Sequence, residues 1–131
     1  AGRAEVTSFA VADDALAGRH GAALEKLRWA LSTGVSPVLV TSALASSLRG
    51  LGKYLELRSG SFSDQDLARQ VGVPAFKLKE LNRFSRDWSG RGVSVAIRAV
   101  AKADEQVKGA AADPAFALEQ LLLRIAAARS R

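Results

Sequence analysis

The stretch from Ser63 to Leu81 constrains the fold more than any other part of the chain. Leu67 and Ala68 share a face of one short helix, Gly72 supplies a turn, and Leu78 and Leu81 recur inside a second helix. That is the spacing of a helix-turn-helix. Ser63 followed by Asp66 is a capping-box pattern, and Pro74 suits the opening of the second helix. Two short helices meeting at a turn cannot bury their apolar faces against each other alone, so the rest of the chain has to back them. Two uses of the motif stay open: a DNA-reading pair in a basic chain, or a packing corner in a helical assembly module.

The flanking sequence carries the same punctuation. Phe9 to Ala17 reads as a short apolar helix stopped by Gly18. A second runs from His20 to Thr33, with Leu24, Leu27 and Leu31 on one face and Gly34 as its stop. Ser36 and Pro37 open a third, whose stripe is Leu44, Leu48, Leu51 and Leu55. Gly50 and Gly52 weaken that helix unless a neighbouring backbone packs closely on them. After a break at Arg58 to Ser61 come the two helices of the motif, the second carrying Leu78, Leu81 and Phe84 toward Trp88 and Gly90. A sixth helix is expected from Val93 to Lys108, with Val93, Ile97, Val100 and Val107 inward. Asp113 and Pro114 cap a last one striped by Leu118, Leu121, Leu122 and Ile125. The fold class is therefore all-α, a compact bundle of about six to seven helices. Residues 1–8 are expected to be a linker or the end of a preceding domain, and 9–131 one helical domain.

At 131 residues the chain is long enough for one core. It has no apolar run of about 18 residues, so no membrane partner is expected. Ala1 to Glu5 do not lead into the apolar core of a signal peptide. Methionine is absent even at position 1, from which the chain is expected to be a piece of a longer protein. Cysteine is absent too, which excludes disulfides and thiolate chemistry and fits an expected cytoplasmic location.

Catalytic signatures are missing. There is no phosphate-cradling loop ending in Gly-Lys-Ser/Thr, and no dinucleotide fingerprint with strands to support it. His20 is the one histidine and reads as an exposed helix-start residue. The acid pairs Asp13/Asp14 and Asp104/Glu105 are adjacent on helices, so their side chains diverge by about 100°. Asp104 reads instead as an i, i+4 ion-pair partner of Lys108. No catalytic, metal-binding or cofactor-binding residues are expected, and the chain is not expected to be an enzyme in itself.

The formal net charge is +6, and most of it lies in one segment. Lys77, Lys79, Arg83, Arg86, Arg91, Arg98 and Lys102 face only Glu80 and Asp87 in sequence. Such a patch suits phosphates or an acidic partner, or is simply a solvated face. For sequence-specific DNA reading the second motif helix is poorly equipped. Asn82 is its first amide side chain, and Arg83 sits in the C-terminal half, whereas base contacts come mostly from the N-terminal part. Lys77 and Lys79 suit phosphate contact, and non-specific DNA contact stays open.

The order of these features resembles the C-terminal domain of the delta subunit of bacterial DNA polymerase III. The resemblance is carried by Phe9 to Gly18, Ala23 to Leu27, Gly34 to Leu39, Asp66 to Pro74, Ala103 to Lys108 and Asp113 to Leu121, and spans about Val6 to Ala127. It implies a collar domain of the clamp loader, a non-catalytic piece that joins delta to the ATP-hydrolysing gamma/tau-type and the delta-prime-type subunits. By the same resemblance the sliding clamp would be met only through an N-terminal domain outside this chain. A candidate partner face follows from the second helix. Trp29 points almost opposite the leucine stripe, beside Ala22, Glu25 and Lys26, and is either covered by another helix of the chain or offered to a partner.

Overall fold

A computed structural model describes residues 2–109 and 113–131; Ala1 and Ala110 to Ala112 lie outside the described residues. It contains seven α-helices and no strand among them: α1 (Arg3–Leu16), α2 (His20–Ser32), α3 (Pro37–Leu57), α4 (Asp64–Val71), α5 (Leu78–Ser85), α6 (Gly90–Lys108) and α7 (Pro114–Arg129). A single 3-10 turn, Ala75–Lys77, leads into α5.

The longer helices close on one another. α1 packs on α2, α2 on α7, α7 on α6, α6 on α3, and α3 back on α1. Leu16, Leu27, Leu44, Leu48, Leu51, Leu118, Leu121, Leu122 and Ile125 are fully buried between them. The α4–α5 corner is attached to this closed set through α3. Its inner residues Leu67, Val71, Leu78, Leu81 and Phe84 join the same core. The helix-turn-helix spacing thus gives a packing corner with a buried inner face.

Several elements form for the reasons read from the sequence. Ser63 Oγ accepts from Asp66 N at 3.2 Å, which satisfies one free amide at the start of α4. Gly72 ends α4 with φ of 89°, a conformation that disfavours any residue with a Cβ. Asp113 Oδ1 accepts from Phe116 N at 3.2 Å and Pro114 occupies the first turn of α7. Asp104 pairs with Lys108 at 2.6 Å and also accepts from Thr41 Oγ1 at 2.7 Å, which ties α6 to α3.

Three boundaries differ. α1 begins at Arg3 instead of Phe9, so residues 3–8, expected as linker or the end of a preceding domain, are helix, and Ser8 is fully buried. α6 begins at Gly90, three residues before the expected Val93, because Ser89 Oγ accepts from Gly92 N at 3.0 Å and caps it. α5 ends at Ser85, and the following turn delivers Trp88 into the core, where its Nε1–H donates to Leu16 O at 2.9 Å. Inward positions shift as well. On α2 Ala23, Leu27 and Ala30 are fully buried while Leu24 and Leu31 are half-buried. On α6 the expected Ile97 and Val107 are half-buried, and Gly92, Ala96 and Ala103 take the close approaches. His20 is the first residue of α2 and is half-buried, where an exposed position was expected.

Candidate functional site

Adjacent acids on α1 do part company. Asp14 is buried and holds two cations, Arg19 Nε at 2.8 Å and Lys26 Nζ at 2.6 Å. Burial alone would raise its carboxyl; the hydrogen-bonded Lys26 and Arg19 outweigh that and hold it below the ordinary range. Asp13, on the neighbouring face, looks toward α5. Burial there, and next the charge of Glu80, raise its carboxyl.

The Asp14–Lys26 pair fixes how α2 lies along α1. The two helices form a hairpin through the short turn at Ala17 to Arg19 and run antiparallel. One turn on from Lys26 along α2 is Trp29; one turn back from Asp14 along α1 is Ala10, and a further turn back is Val6. This places Trp29 along the same edge as Ala10 and Val6. Trp29 is 63% exposed and Val6 60% exposed. Of the four residues of the candidate partner face, Glu25, Lys26 and Trp29 are exposed and Ala22 is half-buried, and among the described residues no other helix covers the indole. The sequence reading missed the α1 contribution. Val6 lies in residues 1–8, expected to be a linker or the end of a preceding domain, and Phe9, expected at a helix start, is 41% exposed.

A second apolar strip lies on the other flank of α2. Arg28 donates to Glu119 of α7 at 3.1 and 3.2 Å, and Glu119 sits between the exposed Phe116 and Leu123. α2 is therefore bordered by two uncovered apolar strips, one on α1 and one on α7.

The linear basic patch does not form one surface. Lys77 precedes α5, is half-buried and pairs with Glu80 at 3.6 Å; Lys79 and Arg83 are exposed on α5, and Arg86 follows it. Arg83 lines a cleft with Asp13, Asp14 and Asp87. Arg91, Arg98 and Lys102 instead form a row on the exposed side of α6, spaced i, i+7 and i+11, and take part in no ion pair among the described residues. α6 packs on α3, which adds Arg49 and Lys53 to the groove lined by Ser94 and Ile97. These two cations escaped the sequence reading because they belong to another helix. Asn82, the one amide on α5, accepts from Tyr54 Oη at 3.2 Å, which occupies its oxygen.

No group of three or more metal-ligating side chains occurs among the described residues, and none of their helices is long and apolar enough to cross a membrane. The described surface thus offers two apolar strips, a cleft beside α1 and a cationic row.

The family model for the DNA polymerase III delta subunit, C-terminal domain, matches residues 5–125. The chain belongs to this family. The match covers all seven helices apart from the ends of α1 and α7. A solved structure, the DNA clamp loader delta protein YqeN of Bacillus subtilis, superposes with a TM-score of 0.80 at 17% identity, over 97% of this chain and 38% of that one. At that identity the likeness shows the fold, which is that of the clamp-loader delta protein. This delta C-terminal domain spans well under half the length of that solved relative. No curated protein matches it in sequence. Membership makes this the C-terminal domain of a DNA polymerase III delta subunit.

Proposed function

We propose that this delta C-terminal domain joins its subunit to the other clamp-loader subunits, of the gamma/tau and delta-prime types, so that the loader can place the sliding clamp on primed DNA. The observation that carries this reading is the pair of uncovered apolar strips flanking α2: Trp29 and Val6 on one side, Phe116 and Leu123 on the other. A protomer in a ring needs two different faces, one for each neighbour. Aromatic residues are enriched at interface cores, and tryptophan is among those that carry most of the binding energy there. The domain itself takes no catalytic part, works in the cytoplasm and reaches the clamp only through a domain outside this chain.

A second reading has a specific observation behind it. The row Arg91, Arg98 and Lys102, without an ion-pair partner among the described residues, supports non-specific contact with the DNA backbone alongside assembly. Sequence-specific reading by α5 is disfavoured by the engagement of Asn82. The test is light scattering on the size-exclusion eluate of the full-length protein mixed with its ATP-hydrolysing partner subunit at physiological salt. A joint peak is expected. Separate elution at micromolar concentrations, with both proteins folded, would sink the assembly reading.

A further inference from the structure

The cleft between α1, α3 and the α4–α5 corner adjoins the α1 strip beside α2, since Val6 and Ala10 also line it. Its volume is about 500 Å³, room for a few apolar side chains. Phe9, Leu81 and Phe84 supply apolar walls. Its rim is acidic, although the chain carries +6 overall. Glu5, Asp13 and Glu80 border it, and Lys77, the one cation in its lining, is already paired with Glu80. Asp13 has no ion-pair partner among the described residues. Burial and the charge of Glu80 raise the Asp13 carboxyl, the charges of Lys77 and Arg19 offset this in part, and a further cation at the rim would relieve it.

Gly50 adds an independent observation. It lies inside α3, where a glycine costs roughly 1 kcal/mol relative to alanine unless something needs the space. A Cβ built on it meets nothing within 4 Å, so nothing in this chain uses that space. Gly50 lines this same cleft, beside the small Ser46 and Ser47. The bare backbone lets a foreign side chain or helix approach closely.

We propose that this cleft receives an amphipathic helix of another loader subunit, with its apolar residues over Gly50 between Phe9 and Phe84, and a lysine or arginine one turn away against Asp13 and Glu80. The inference rests on the assembly reading above. A helix is the fitting occupant because the described residues offer no sheet edge for an extended peptide, and helix-in-groove docking uses this combination of apolar floor and charged rim. A second copy of the chain fits less well, since it would bring another +6.

The test uses the full-length protein and its companion loader subunits. Gly50→Leu fills the floor and Asp13→Lys reverses the rim. Each is expected to keep the helical circular dichroism and to weaken assembly about tenfold or more, the charge reversal chiefly at low salt. In the otherwise unchanged protein, a photo-crosslinking benzoylphenylalanine at Phe9 is expected to capture a helical peptide of another subunit that bears a basic residue; this arm decides if either variant fails to fold. Assembly of both folded variants at wild-type strength, or no inter-subunit crosslink from an assembled complex, would overturn the cleft and leave the assembly reading standing. A crosslink to a second copy overturns the choice of partner. If the wild-type protein itself fails to assemble, the assembly reading falls, and this inference falls with it.

Discussion

At the scale of single residues, the two most consequential positions are a carboxylate and a glycine. Asp14 is buried with both oxygens committed to cations, whereas Arg19 and Lys26 remain about half exposed and can return to water. Asp14→Asn should therefore cost only about 1–2 kcal/mol at neutral pH, less than a fully buried pair. Its folded pKa lies below the ordinary 3.8, so the stabilisation is complete above that value. It is lost as pH falls through the lowered folded value. Urea melts of both proteins at several pH values should show a constant gap from pH 7 down to about 5 and a closing gap in acid; a gap independent of pH would refute the ion-pair account. The glycines divide in the same spirit. A Cβ on Gly92 would sit 2.5 Å from the backbone oxygen of Ala128, where α6 and α7 cross, so Gly92→Ala should cost about 1–3 kcal/mol. Gly50→Ala meets open space and should gain about 0.5–1 kcal/mol. Thermal melts of the two variants should move in opposite directions.

At the scale of elements, the end of α1 is held by a residue from far along the chain. The carbonyl of Leu16 lies in the last turn of α1, where no further helical amide arrives, and the indole of Trp88 fills that need. Trp88→Phe keeps the packing but leaves the carbonyl unpaired, and should lower stability by about 1–3 kcal/mol, read from a denaturant midpoint. No local signal could announce such a link, since it joins residues 72 apart in sequence. Local signals were legible at two of the side-chain caps, where Ser63 and Asp113 act as read. The start of α1 was not legible, because Gly2 precedes it without a side-chain cap. The start of α6 was hidden by Gly-Arg-Gly, a run that reads as loop until Ser89 is seen to cap it. Candidate surfaces followed the same rule. Trp29 could be found from one helical wheel, while Val6, Phe9 and the Arg49–Lys53 pair depend on which helices become neighbours.

At the scale of the whole molecule, assembly and DNA contact make different demands on the surface, and salt separates them. The strips flanking α2 are apolar, and their association should change little with ionic strength apart from any acid–base pairing at the α1 cleft. Trp29 is exposed, so Trp29→Ala should shift stability by no more than about 0.5 kcal/mol. If it lies at an interface centre, the same change should cost about 2 kcal/mol of binding. The row Arg91, Arg98 and Lys102 has no ion-pair partner among the described residues and would neutralise about three phosphates of a duplex, giving a log–log slope near −2.7. Between 50 and 200 mM salt that amounts to roughly a 40-fold loss of DNA affinity, against little change in subunit affinity. Titrating the full-length protein with duplex DNA and with its partner subunit across that range measures both slopes. A steep slope for the subunit would move the interface onto charged surface and away from Trp29. A flat slope for DNA would show that the α6 row is only a solvated face.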